Sequence, residues 1–185
     1  MILPIVAYGN SILKKRCEDV PLDRATITPL LNNMWETMYN ARGVGLAAPQ
    51  VGLNMRIFIV DTLQLENEED GIKNAFINAE IIEEFDDLWT YEEGCLSIPK
   101  LTGDVERNGK VTIKYWDEEF NEHLKTFDGM NARVIQHEYD HIEGILFIEK
   151  LKPLKKRLIQ RKLDNIKKGK IDVDYKMKFG KIHLR

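Results

Sequence analysis

Two histidines four residues apart constrain the fold of this chain more than any other feature. His137 and His141 flank Glu138 in the run His-Glu-Tyr-Asp-His, and the surrounding residues are mostly apolar. Residues four apart share one face of an α-helix, with Cβ atoms about 5–6 Å apart, so two imidazoles can bind one metal ion. Charged groups on a buried helix are costly unless they are paired or coordinated. We therefore predict a buried metal-binding helix from residue 130 or 131 to about 143, although so short a motif also recurs in ordinary exposed helices.

A catalytic metal site needs a third protein ligand and an open position for water. One group of metalloproteases places a third histidine six residues after the second, but this chain has Phe147 there, which cannot coordinate a metal. His183 lies in a polar tail. The candidate upstream is Cys95, in the loop Glu93-Gly94-Cys95-Leu96-Ser97. Cys95 taken alone would be interpreted as a buried core thiol, but the incomplete histidine pair favours a metal ligand.

The order of the predicted elements indicates the α+β class. A helix that starts near Pro29 is followed by a glycine-rich loop at 43–52, several strands and two more helices, at about 130–143 and 153–168. Because the strands do not alternate with helices, we predict short mixed or antiparallel β-sheets packed around the central metal-binding helix, with an N-terminal and a C-terminal helix. A length of 185 residues predicts a single catalytic domain over 1–185. The predicted strands are 56–61, 75–78, 80–85, 88–91, 111–115 and 123–127.

The cysteine count, the first residues and the length of the apolar stretches indicate the cellular compartment. Two cysteines are too few for a disulfide framework. The first residues show no basic leader with an apolar core, and no stretch approaches the roughly 20 apolar residues of a membrane span. We expect a cytoplasmic protein with no membrane partner.

Charge is distributed unevenly along the chain. Residues 1–149 hold 13 basic and 27 acidic residues, whereas residues 150–170 hold ten basic residues and one acid. The predicted C-terminal helix is therefore either an amphipathic helix packed on the body with a solvated basic face, or a surface attracted to RNA. The acidic body would repel RNA, so only this helix would make the contact, and we expect no DNA partner. The expected apolar side of the segment 150–170 consists of Leu151, Leu154, Leu158, Leu163 and Ile166.

Three motifs in this order resemble those of the peptide deformylases. They are Gly-Val-Gly-Leu-Ala-Ala-Pro-Gln at 43–50, Glu-Gly-Cys-Leu-Ser at 93–97 and Gln-His-Glu-Tyr-Asp-His at 136–141. The resemblance spans nearly the whole chain, and the three motifs together are highly specific. One departure is Ala79, where such sequences usually have proline.

The resemblance implies metal-dependent hydrolysis of the N-formyl group from the N-terminal methionine of newly made peptides, with release of formate. It implies Cys95, His137 and His141 as the metal ligands, iron(II) as the metal in the cell, and zinc or nickel as substitutes. The donor set alone suits zinc, iron, cobalt or nickel. The implied partners are N-formylmethionyl peptides and the ribosome, the latter through the basic C-terminal helix.

The same resemblance assigns catalytic roles. Glu138 would take a proton from the attacking water and deliver it to the departing amine. The backbone N–H of Leu96 and the side-chain amide of Gln50 would stabilise the oxyanion. Gly45 would permit a close approach of the backbone to the reacting groups, although a glycine after a helix also suits a simple turn.

The remaining assignments concern the substrate pocket and the groups behind the metal ligands. We expect Val44, Ile98 and Ile135 to wall an apolar pocket for the methionine side chain, with ordinary core packing as the alternative. We also expect Arg107 to pair with Asp140, which would orient the site.

Two other functions remain open from the residues alone. A peptide-bond metalloprotease is disfavoured by Phe147 and by the upstream cysteine. A non-catalytic RNA- or ribosome-binding module would use only the basic helix and would not need Glu138.

Overall fold

The computed structural model describes residues 1–66 and 70–180. His183 and the end of the polar tail lie outside the described residues. The three helices are α1 (Arg24–Asn40), α2 (Gly129–Ile142) and α3 (Pro153–Lys167). The strands are β1 (Ile5–Val6), β2 (Gly45–Ala47), β3 (Ile57–Asp61), β4 (Lys73–Cys95), β5 (Ile98–Trp116), β6 (Glu122–Asp128) and β7 (Met177–Lys178).

Five strands form one antiparallel sheet in the order β2-β3-β4-β5-β6, and β1 pairs with β7 in a small parallel sheet. The predicted α+β class with mixed and antiparallel strands is confirmed. The prediction of short strands is wrong for β4 and β5, which are 23 and 19 residues long. The three runs predicted at 75–78, 80–85 and 88–91 are one strand with several register shifts. Bulges interrupt the period-2 pattern of side chains, so one bent strand resembles several short ones in the sequence.

Helix α1 begins earlier than predicted. The side chain of Asp23 accepts hydrogen bonds from the backbone N–H groups of Ala25 and Thr26, which caps the first turn. Pro29 therefore lies inside the helix and not at its start. The inward side chains Ile27, Leu31, Met34 and Met38 are buried against the sheet side of the core.

The segment predicted as a glycine-rich loop at 43–52 has regular structure. It forms β2 and a 3₁₀ turn, Ala48–Val51. Because β2 pairs with β3 at one edge of the sheet and packs against α2, it places Gly45 and Gln50 next to the central helix.

Helix α2 is the buried centre of the fold, and its predicted bounds are correct to within one or two residues. Ala132, Ile135 and Ile142 pack in a core cluster with side chains of the sheet. On α3, Ile159, Leu163 and Ile166 face the body, whereas Leu154 and Leu158 are each 69% exposed. The apolar side predicted for this helix was therefore wrong at those two leucines. Within the described residues, no helix combines the length and apolarity needed to span a membrane.

Candidate metal centre

Cys95, His137 and His141 converge at one point of the fold. Their ligand atoms all lie within 4.8 Å of one another, and Cys95 Sγ is 3.3 Å from His141 Nε2. Sulfur and nitrogen ligands of a tetrahedral zinc ion are separated by roughly 3.5 Å, given bonds of about 2.3 and 2.0 Å. Cys95 is the last residue of β4, and the histidines occupy successive turns of α2. The predicted convergence of these three side chains is therefore present.

The surrounding groups fit a divalent cation. His137 Nδ1 is 2.9 Å from Glu93 Oε2, which leaves Nε2 as the nitrogen available to a metal. Glu138 is only 4% exposed, and no hydrogen-bond partner for its Oε2 is found in the described part of the chain. A buried carboxylate without partners is costly, and a nearby cation offsets that cost. One thiolate and two imidazoles are also the ligands that zinc and the later divalent transition metals prefer.

Burial shifts the protonation equilibria of these side chains. Burial and the neighbouring His137 hold the pKa of His141 well below its ordinary value. Burial also opposes protonation of His137, but hydrogen bonds to Cys95 and Glu93 raise its pKa to about 10. Burial raises the pKa of Glu138 to about 7. Because metal binding requires neutral imidazoles, binding at His137 would release a proton.

Glu93 is the carboxylate that orients His137, and sequence reasoning gave it no role. Besides His137, it accepts hydrogen bonds from Arg107 at 2.7 and 2.9 Å and from Arg133 at 2.9 Å. Arg107 also donates to Asp140 Oδ2 at 2.7 Å, so the predicted Arg107–Asp140 pair is confirmed. The only signal for Glu93 in the sequence was its place two residues before Cys95.

Gly45 provides the room that Glu138 needs. A Cβ atom built on Gly45 would lie 2.5 Å from Glu138 Oε1, so any side chain there would displace the carboxylate. Gln50 is fixed nearby, because its Oε1 accepts the backbone N–H of Ala47 at 2.8 Å. Its Nε2 therefore lies 3.4 Å from Cys95 Sγ and 3.4 Å from Ser97 Oγ, on the side of the candidate ligands.

Cys95, His137 and Glu138 line a cavity of about 760 Å³, whereas His141 is buried and is not among the lining residues. Its lining includes the predicted Val44 and Ile98 together with Leu96 and Val134. Ile135 does not line it, because that side chain is fully buried in the core, so its predicted role was wrong. On a helix, the face of His137 and Glu138 continues at positions three and four residues earlier, which is where Val134 lies.

A segment near the C-terminus also borders the cavity, which sequence reasoning missed. Asp172, Val173, Asp174 and Tyr175 are among its lining residues. The signal available in the sequence was the alternation of apolar and charged residues over 171–179, which is typical of a half-buried extended segment.

The comparisons with known proteins agree with this geometry. The family model described as Polypeptide deformylase matches residues 2–157. A peptide deformylase from Christiangramia forsetii is 53% identical, covering 97% of this chain and 96% of the relative, and one from Cytophaga hutchinsonii is 52% identical, covering 97% and 98%. A crystal structure of a peptide deformylase from Legionella pneumophila superposes with a TM-score of 0.80 at 37% identity, covering 92% of this chain and 98% of that one.

The chain belongs to the peptide deformylase family. The resemblance drawn from the three motifs is thereby confirmed, together with the enzyme class: the family consists of metal-dependent hydrolases that remove the N-formyl group from nascent peptides. The fold class agrees with the solved structures of the family as well.

Proposed function

We propose that this chain releases formate from the N-terminal formylmethionine of newly made peptides, with residues 1–185 acting as one catalytic domain. The observation that carries the proposal is the placement of Cys95, His137 and His141 around one point, with Cys95, His137 and the buried Glu138 lining a cavity. Membership of the family supports the same reaction.

Cys95, His137 and His141 would hold one divalent metal, which we propose to be iron(II) in the cell, with zinc or nickel as substitutes. When bound there, the ion supplies Lewis acidity, which lowers the pKa of water and polarises the formyl carbonyl. Glu93 holds His137 in the tautomer that leaves Nε2 for the metal.

Glu138 is the proposed proton carrier. Its carboxylate takes a proton from the attacking water and passes it to the amine as the formyl C–N bond breaks. Burial raises its pKa to about 7, which makes it a stronger base than an exposed glutamate and also a competent acid near neutral pH.

Gln50 and Leu96 are the proposed donors to the oxyanion. The amide of Gln50 is fixed by its bond to the N–H of Ala47, so its NH₂ group needs no reorganisation during the reaction. Removing one donor of this kind typically lowers kcat about 100- to 1,000-fold.

The cavity supports selection for methionine. Val44, Ile98 and Val134 offer apolar surface to an unbranched side chain. We propose that the close approach of the Gly45 backbone to Glu138 restricts the acyl group to formyl, since the two lie too close for a Cβ atom between them.

The proposed location is the cytoplasm, where new chains emerge from ribosomes, and the proposed contact with the ribosome is α3. Its outward side chains include Lys155, Arg157, Arg161 and Lys162, all exposed, whereas the body is acidic. Such contacts with RNA phosphates weaken steeply with salt. A variant that combines Lys155→Glu, Arg161→Glu and Lys162→Glu should lose ribosome co-sedimentation, whereas the exposed control Lys125→Glu should retain it. Binding that is insensitive to salt, or retained by the triple variant, would refute this contact.

Formate release from formyl-Met-Ala-Ser tests the proposed reaction. The parent should release formate, should leave acetyl-Met-Ala-Ser and casein uncleaved, and should lose activity with Cys95→Ala or Glu138→Ala. Metal content measured on the same samples separates the two losses, because Cys95→Ala should lose metal and Glu138→Ala should keep it. Cleavage of casein without formate release would favour a peptide-bond protease. Ribosome binding by a parent that releases no formate would favour a binding module.

A further inference from the structure

The chain continues past the match to the family model, which ends at residue 157, and the segment after α3 returns to the body. Side chains along it alternate between half-buried and exposed, as expected for an extended segment with one face packed. Ile171, Met177 and Phe179 pack against a core cluster. The half-buried set is completed by Val173 and Tyr175, which line the cavity.

Backbone pairing fixes this segment to the other end of the chain. The N–H of Ile5 donates to the carbonyl of Lys176 at 2.8 Å, and the N–H of Ala7 donates to the carbonyl of Lys178 at 2.9 Å. The result is the parallel pair of β1 and β7. Tyr8, which follows β1, and Tyr175, which precedes β7, both contact the hairpin between β4 and β5.

That hairpin joins β4 to β5 through a two-residue turn, Leu96–Ser97, directly after Cys95. Both carbonyls of the turn accept hydrogen bonds from outside the hairpin. The backbone N–H of Tyr8 donates to Ser97 O at 2.9 Å, and the hydroxyl of Tyr175 donates to Leu96 O at 2.8 Å. Two donors from opposite ends of the sequence thus hold one short turn.

The turn matters because its first residue carries a proposed oxyanion donor. Donors of this kind act by being preorganised at about 2.7–3.1 Å from the developing charge. A two-residue turn has few bonds of its own to resist rotation of its peptide groups. A bond to Leu96 O fixes the peptide group that follows Leu96, and so restricts how the N–H of Leu96 can turn.

We infer that Tyr175 is a positioning residue for deformylation, whose hydroxyl holds the Leu96–Ser97 turn so that the Leu96 N–H faces the substrate. The inference rests on the proposed function. It makes the segment after α3 part of the active site, although the family model matches only residues 2–157. The exposed pair between Arg42 and Asp174, at 3.2 Å, also ties the segment to the end of α1.

The test is Tyr175→Phe, which removes the hydroxyl and keeps the ring. Tyr115→Phe is the matched control, because Tyr115 also has a bonded hydroxyl, 3.3 Å from Asn74 Nδ2, but is not among the residues that line the cavity. Rates on formyl-Met-Ala-Ser are expressed per metal-loaded, folded protein, using metal content and thermal melting. We expect kcat to fall about tenfold in Tyr175→Phe with KM within about twofold of the parent, and to stay within about twofold in the control, since one donor is loosened but not removed.

Amide hydrogen exchange gives a readout independent of activity. Exchange of the peptide covering 94–101 should speed up in Tyr175→Phe and not in Tyr115→Phe. The inference is overturned if kcat of Tyr175→Phe stays within about twofold of the parent, if only KM changes, if the control loses as much activity, or if exchange at 94–101 is unchanged. A parent that releases no formate overturns the proposed function instead, so the two failures are distinguishable.

Discussion

Replacing Glu138 by glutamine should abolish activity and yet stabilise the metal-free protein. Glu138 is buried, its Oε2 has no hydrogen-bond partner among the described residues, and burial raises its pKa from the ordinary 4.5 to about 7. Because the folded-state pKa lies above the unfolded one, the stability linked to this carboxyl is fully present below about pH 4.5 and is lost as the pH rises through about 7. A pKa difference of one between the folded and unfolded states corresponds to about 1.4 kcal/mol, so ionising the buried carboxyl costs about 3 kcal/mol of stability above pH 7.

Glutamine keeps the shape of the side chain and never ionises, so the Glu138→Gln variant avoids this cost. We measure the free energy of unfolding of chelator-treated protein in urea at pH 5 and at pH 8. From the lower to the higher pH, the stability advantage of the variant over the parent should grow by about 2–3 kcal/mol. Added zinc should reduce this gain, because a cation nearby favours the ionised carboxylate of the parent. Formate release should fall at least about 100-fold, as expected for loss of a general base.

The control for this experiment is Glu84→Gln, which makes the same chemical change at an exposed position of β4. It should change neither the pH dependence of unfolding nor the activity. A Glu138→Gln variant that is no more stable than the parent at pH 8, or whose advantage is the same at pH 5, would show that the buried carboxylate is not strained as argued.

Three further predictions concern the surroundings of the site. Gly45→Ala should lower kcat at least about tenfold while metal content stays at the parent level, since the new Cβ displaces Glu138 and not a ligand; loss of metal in place of rate would contradict this. Glu93→Gln should weaken zinc affinity about 10- to 100-fold in a chelator competition, because His137 loses its charged orienting partner; an unchanged affinity would remove Glu93 from that role. The iron form should lose activity in air while the nickel form persists, because an iron–thiolate site is prone to oxidation at Cys95; equal lifetimes would count against iron at this site.

The sequence was sufficient for the parts of the site that obey local rules. The spacing of His137 and His141 fixes their common helix face, and the absence of a usable third ligand downstream directs attention to Cys95. Cys95 and His137 are 42 residues apart along the chain, and the β4–β5 hairpin brings Cys95 to the histidines. No periodic pattern in the sequence showed where the turn of that hairpin lies. The order of helices and strands was likewise sufficient for the fold class.

The sequence does not show which way each side chain points in the folded protein. Val134 and Ile135 are neighbours of similar character, and only the rotation of α2 decides that the first faces the cavity and the second the core. In the sequence, nothing distinguishes Glu93 from the other acidic residues. Its role follows from its contacts with Arg107, Arg133 and His137 in the structure. Strand β4 was predicted as several strands because register shifts interrupt the period-2 pattern of its side chains.

The segment after α3 is the largest part of the structure that we did not predict from the sequence. Its residues 171–179 alternate strictly between apolar or aromatic and charged side chains, which is typical of a half-buried extended segment, but that alternation does not show that the segment packs beside the metal centre. Its partner strand β1 lies at residues 5–6, and no local pattern shows which strands pair.

X-ray absorption spectroscopy of the zinc-loaded protein counts the ligands of the ion and so tests whether Cys95, His137 and His141 bind it together. We predict one sulfur at about 2.3 Å and two imidazole nitrogens at about 2.0–2.1 Å, with the sulfur lost in Cys95→Ala. If the parent shows only oxygen and nitrogen ligands, unchanged in Cys95→Ala, Cys95 does not bind the metal.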